Sequence, residues 1–201
     1  YYQALGKPDE ACSQLAIALS KNMAEFGYPN DTKKLKAMSE THCGCEPEDL
    51  PAIGFRAPYY YDELEDEEKT AMAELTSDFC IIKHPDQTDR FIRAVLSIPI
   101  KGTGETFDYG LWVSVSEKSF KAYKKSYDKD GKSKTFFGMT SNEIADYEES
   151  TLGLHADVTT RNGGLRPEIV LHKSDHPLFS DWTNGITRED ALKRIRLLEG
   201  R

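Results

Sequence analysis

Two thiols one residue apart, Cys43 and Cys45, follow His42 in a stretch rich in turn residues. Thiolate and imidazole are good zinc ligands, but a structural zinc takes four, usually from pairs spaced C-x2–4-C. Here the spacing is C-x-C, no second pair follows, and Cys80 is the nearest further thiol. Two expectations stand side by side: no cofactor and two partly buried thiols, or zinc held through Cys43 and Cys45. A disulfide between them would be strained by their short separation.

A second set of reactive types sits on the segment 151–161, TLGLHADVTTR. Its alternation sends Leu152, Leu154, Ala156 and Val158 one way and His155, Asp157, Thr159 and Arg161 the other. Asp157 can orient His155 as a base. If neighbouring strands add Arg93 and Trp112, the face becomes a patch for an anionic or polar ligand. The competing expectation is the ordinary solvated face of an antiparallel sheet. A third candidate is Asp175-His176, either a metal-ligating pair or an Asp that opens a turn with His capping it. There is no G-x-S-x-G elbow, phosphate loop, dinucleotide fingerprint or H-E-x-x-H helix in the chain.

The elements that must position these groups centre on residues 90–120. Two apolar, β-branched and aromatic runs flank the connector KGTGET, the signal for an antiparallel hairpin. In the second run Phe107, Tyr109, Leu111, Val113 and Val115 share one face; in the first, Ile92, Ala94, Leu96, Ile98 and Ile100 do, and both faces of that first run read as partly covered. A short strand is predicted at 79–84. A second hairpin is predicted from 151–161 through the turn Asn162-Gly163-Gly164 into RPEIVLHK.

Helices are predicted at 8–26, from Asp31 or Thr32 through Met38, and at 62–76 behind an acidic first turn. Further helices are expected at 116–127 with Ser116 as N-cap, and from Thr187 onward, where Asp190 completes a capping box and Ala191, Ile195 and Leu198 form the buried face. Residues 42–61, 128–134 and 175–186 read as loops. The sum is an α+β fold: an antiparallel sheet of about five strands with flanking helices, spanning 40–201, behind an N-terminal helical segment, 1–39.

The chain has 201 residues, a formal charge of −8 and 30% charged residues. That balance argues against a broad nucleic-acid or anionic-membrane surface, which needs Lys and Arg. No apolar run approaches the roughly 20 residues of a membrane span. Four scattered cysteines fit a reducing, cytoplasmic location rather than a disulfide framework. The chain opens on Tyr1, not Met, which leaves room for a removed leader or an upstream domain.

One ordered set of short motifs carries a resemblance. It comprises Cys43-Gly44, Leu50-Pro51, Ser77-Asp78 with Cys80, Arg90-Phe91-Ile92-Arg93, Tyr109 to Ser114, Ser119-Phe120, Arg166-Pro167 and Asp175-His176-Pro177-Leu178. Together these resemble the bacterial DUF2199 family over residues 40–198. That family often begins C-x-x-C-G-x-x-H; here Glu40 and Pro47 stand in the outer positions, so the resemblance implies a degraded metal element. It implies a fold and a bacterial cytoplasmic origin, but no reaction. From the acidic charge, the aromatics Tyr59 to Tyr61 and Trp182, and the lack of a catalytic motif, the function expected is a non-enzymatic module of immunity or accessory type that binds a protein partner. The alternative is a metal-dependent or small-ligand enzyme built on His155, Asp157, Asp175 and His176.

Overall fold

The structure, a computed structural model, describes residues 50–127, 129 and 131–199. The helical segment expected at 1–39, and Cys43 and Cys45, lie outside the described residues. From Ala52 onward the chain forms one compact unit.

Among the described residues eight strands make one sheet: β1 Ile53–Gly54, β2 Ala73–Leu75, β3 Phe79–Lys83, β4 Thr88–Pro99, β5 Thr106–Val115, β6 Thr135–Thr140, β7 His155–Thr159 and β8 Glu168–Leu171. The expected hairpin is its spine: β4 and β5 pair antiparallel from Phe91↔Ser114 to Pro99↔Thr106. Antiparallel pairing then runs β5 to β6, β6 to β7 and β7 to β8. Strand β8 returns to β4 in parallel at Val95↔Glu168, closing a five-stranded barrel. The fold is α+β as expected, but its sheet is a mixed, closed barrel with three added strands, not an open antiparallel sheet of about five. Closure removes two exposed strand edges.

The barrel interior follows from register and burial. Ile92, Ala94, Leu96 and Ile98 face Phe107, Tyr109, Leu111 and Val113, with Ala156, Val158, Ile169 and Leu171 completing the wall; all are buried. On the outer side of β3, β4 and β5 a second apolar cluster joins Cys80, Ile82, Phe91 and Trp112. Phe55, Tyr61, Leu64, Met72 and Leu75 cover it. This is why both faces of β4 read as apolar. The thiol of Cys80 is buried there, and desolvation pushes its pKa up to about 12, with the charge of Asp62 adding to the rise.

Among the described residues five helices flank the sheet: α1 Tyr59–Asp62, α2 Asp66–Met72, α3 Glu117–Ser126, α4 Pro177–Asn184 and α5 Arg188–Glu199. Helix α2 is shorter than the expected 62–76, because Ala73–Leu75 leaves it to pair with β3. Residues 177–184, expected as loop, form α4. His176 caps it, and Pro177 at its first turn suits a position whose N–H needs no partner. The other caps are as expected: Ser116 Oγ accepts from the Ser119 N–H at 3.2 Å, and Asp190 Oδ2 accepts from the Thr187 N–H at 3.2 Å while the Asp190 N–H donates to Thr187 Oγ1 at 3.1 Å. Among the described residues no helix is long and apolar enough to cross a membrane.

Candidate functional site

The outer face of β7 carries His155 and Asp157 side by side, as the alternation predicts, but Asp157 does not orient His155. Its Oδ1 lies 3.2 Å from Nε2 of His172, one strand over on β8's extension. The Phe137 ring packs against both imidazoles, with centroids 5.1 Å from His155 and 5.8 Å from His172, and the two imidazoles meet edge to face at 6.4 Å. His172 was missed in the sequence, although the alternation of EIVLHK sets it with Glu168 and Val170, opposite the buried Ile169 and Leu171. Among the described residues no group of three or more His, Cys, Asp or Glu is arranged to hold a metal ion.

The remaining candidates fall elsewhere. Trp112 is fully buried, donating through Nε1 to the Phe55 carbonyl at 3.1 Å, so it offers nothing to an external ligand. Arg93 lies beside it on β4, its guanidinium 6.0 Å from the indole. Arg161 donates through Nε to the Arg166 carbonyl at 2.6 Å. His176 is buried and uses both ring nitrogens: Nδ1 accepts from the Leu178 N–H at 3.0 Å, and Nε2 lies 3.2 Å from the Glu149 carbonyl. Both contacts together describe a neutral imidazole that caps α4 and ties it to the 142–154 loop. Asp175 is exposed. No hydrogen bond or ion pair joins the 155/157 pair to the 175/176 pair among the described residues, so the four groups do not make one catalytic set.

What the fold does bring together is a groove of about 810 Å³. Its lining includes Tyr60 and Glu63, then His84, Gln87, Asp89 and Arg90, Ser116 and Ser119 at the N-terminus of α3, and Phe137 and Met139 of β6. Its floor is Phe91, on whose ring Tyr60 stacks at 6.0 Å. The groove exists because β4 and β5 stop pairing at Phe91↔Ser114, after which β4 continues against β3 and β5 against β6. Tyr60, Phe137 and Met139 are 47%, 48% and 38% exposed, three of the most exposed large apolar side chains in the described fold. Of the aromatics singled out in the sequence only Tyr60 is exposed; Tyr59, Tyr61 and Trp182 are half-buried.

Polar groups in the groove are mostly paired. His84 Nε2 sits 3.1 Å from Asp89 Oδ2, which also accepts from Gln87 at 3.4 Å. Arg90 donates to the Thr88 carbonyl at 2.8 Å and lies 3.7 Å from Glu117. Ser116 and Ser119 are bonded to each other at 2.9 Å within the helix cap.

A family model described as an uncharacterized protein conserved in bacteria, DUF2199, matches residues 40–186, ending before α5 rather than at the expected 198. No curated protein and no solved structure matches the chain.

Proposed function

The chain belongs to the DUF2199 family of bacterial proteins, and we propose that this member is a non-enzymatic recognition module that takes a segment of a protein partner into the groove between α1 and β6. The observation that carries this reading is the convergence of Tyr60, Phe137 and Met139 on one concave surface. An aromatic or methionine patch in a cleft of this volume is the usual anchor of a recognition surface. Glu63 and Asp89 outnumber Arg90 in the lining, and the whole chain carries −8. Charge complementarity therefore selects a segment with an apolar anchor flanked by Lys or Arg. The free thiol of Cys80 in the second core suits the reducing cytoplasm of a bacterium.

Enzymatic use of His155, Asp157, Asp175 and His176 draws less support, since His176 spends both nitrogens on the fold. The zinc alternative rests on Cys43 and Cys45, outside the described residues.

A random peptide library displayed on phage and panned against the full chain tests the proposal. Recovered peptides are expected to pair an aromatic or aliphatic residue with basic neighbours, and to bind a Tyr60→Ser/Phe137→Ser variant at least tenfold more weakly. Both positions are half-exposed, so the variant keeps the fold. Failure to enrich any peptide, or enrichment that ignores the double substitution, refutes the reading.

A further inference from the structure

Two guanidinium groups, those of Arg93 and Arg166, lie close enough to act on each other's charge, in a protein whose overall charge is negative. Arg166 donates from Nε to Asp78 Oδ1 at 2.7 Å, and Arg161 is tied to the Arg166 carbonyl. Asp78 is buried and already well supplied. Ser77 Oγ donates to its other oxygen at 2.6 Å, and Tyr127 adds a further hydrogen bond. Burial alone would raise the pKa of this carboxyl, but those three donors together hold it below the ordinary value, so it is an anion fully engaged with the fold.

Arg93 is the group left over. Its Nε is buried with no hydrogen-bond partner, and its side chain makes one marginal hydrogen bond, 3.5 Å from Nη1 to the Ser77 carbonyl. Among the described residues no carboxylate pairs with it. Burial disfavours its charge, and the neighbouring charge of Arg166 pushes the same way, with Asp78 offsetting part of this. An arginine is nonetheless charged at any physiological pH, so a partly desolvated cation stands here with no ion-pair contact of its own, helped only through space by Asp78, and an anion bound to it would offset that cost.

The backbone is shaped around that guanidinium. Gly54 and Gly110 are register partners in the short parallel pair of β1 and β5. A Cβ on Gly54 would fall 2.8 Å from Arg93 Nη2, and one on Gly110 would fall 3.8 Å from Nε. The bare backbone of Gly54 thus leaves the room that Arg93 Nη2 occupies, while Gly110 lies at ordinary contact distance beside Nε. Trp112 backs the guanidinium from one side. Arg166 bonds Asp78 through Nε, and its side chain is 39% exposed.

We propose that Arg93 and Arg166 together bind a small oxyanion, the phosphate or carboxylate group of a ligand, received on the two guanidinium forks. Planar forks that bond two oxygens at once are the side-chain geometry best matched to such groups. The site lies apart from the groove residues and does not depend on the protein-partner reading.

The test is a titration of the full chain with inorganic phosphate and, separately, with acetate, at constant ionic strength in sodium chloride. It is read from the arginine Nε–H signals in proton–nitrogen correlation spectra. The Arg93 signal is expected to shift saturably with at least one of the two anions. Tighter phosphate identifies a phosphoryl ligand, and tighter acetate a carboxylate. Arg93→Lys keeps the charge but loses the fork, and is expected to weaken binding at least tenfold, read from the remaining Arg166 signal. Arg166→Gln should do the same, read from Arg93; if that variant fails to fold, Arg93→Lys carries the test alone. The Tyr60→Ser/Phe137→Ser variant should bind the anion like the parent chain. No saturable shift with either anion, or an Arg93→Lys chain that binds as tightly as the parent, overturns the proposal.

Discussion

At Gly138 the barrel tolerates no side chain. A Cβ there would sit 2.4 Å from Val113 Cγ1, 3.0 Å from the Ser114 carbonyl and 3.3 Å from Val158 Cγ2. One of those atoms is backbone, so the clash cannot be relieved by a rotamer change alone. Gly138→Ala is expected to lower stability by about 1–3 kcal/mol, the usual range for overpacking a filled core. Urea unfolding checks this: the midpoint should fall with the slope unchanged, and a midpoint within error of the parent chain would mean the strands separate there without cost. The same scale shows what was legible in the candidate site. Period two placed His155 and Asp157 correctly on one outward face, and it also set Arg93 and Trp112 on a common face. It could not say that this face is wet at Arg93's edge and dry at Trp112, because the cover comes from Phe55 and the α1–α2 region, at least 40 residues earlier in the chain. Nor could it show that Asp157's partner is His172 and not His155, since that choice is made by strand pairing across the Gly163-Gly164 turn.

One arginine links helices α4 and α5 to each other and to the barrel. Arg194 of α5 donates to Asp181 of α4 at 2.6 Å, to the Tyr147 hydroxyl at 2.8 Å and to the Tyr109 hydroxyl at 3.4 Å, with Asp146 3.9 Å from its Nε. Tyr109 reaches this network from inside the barrel and donates to Asp146 at 3.2 Å. Arg194→Met preserves the apolar stem but leaves two largely buried carboxylates without a counter-charge. The expected loss is about 3–5 kcal/mol, the cost of breaking a buried ion pair from one side. Thermal unfolding followed by circular dichroism measures it; a loss under about 1 kcal/mol would reduce the cluster to surface ion pairs. Elements with their own caps or a long alternation, such as β4, β5, α3 and α5, were legible in sequence. Strand β6 was not, because TFFGMT is six residues with a glycine in the middle and draws its stability from neighbours on both sides. Helix α4 was read as loop because Pro177 and Asn184-Gly185 crowd an eight-residue helix with turn residues. Barrel closure rests on a single parallel pair, Val95↔Glu168, and on the Val95 N–H donating to the Pro167 carbonyl at 2.8 Å; no local pattern encodes a contact across that separation.

Over the whole molecule, the fold keeps several weak acids neutral, and this sets its behaviour in alkali. Burial raises the phenols of Tyr109, Tyr123 and Tyr147 above their ordinary value of 10.0, and raises Cys80 from 9.0 to about 12. For a group whose folded pKa is raised, the neutral form favours the fold. Its contribution is complete below the unfolded value and is lost as pH climbs from there toward the folded value, because the unfolded chain releases a proton that the folded chain retains. Loss therefore begins near pH 9 with Cys80 and steepens above pH 10 as the three phenols join. Each group removes at most about 1.4 kcal/mol per pH unit, so four acting together erase a typical domain stability of about 5–15 kcal/mol within one to three units. Asp78 works in the opposite sense at the acid end, its lowered pKa adding stability that is lost as pH falls below its ordinary 3.8. The chain is thus expected to unfold cooperatively between about pH 11 and 13, with a subset of its ten tyrosines ionising only in that step. Absorbance at 295 nm and near-ultraviolet dichroism, recorded on the same samples, should change together. If every tyrosine titrates smoothly around pH 10 while the dichroism stays native, the phenols are not shielded, and the closed, dry barrel around Tyr109 is wrong.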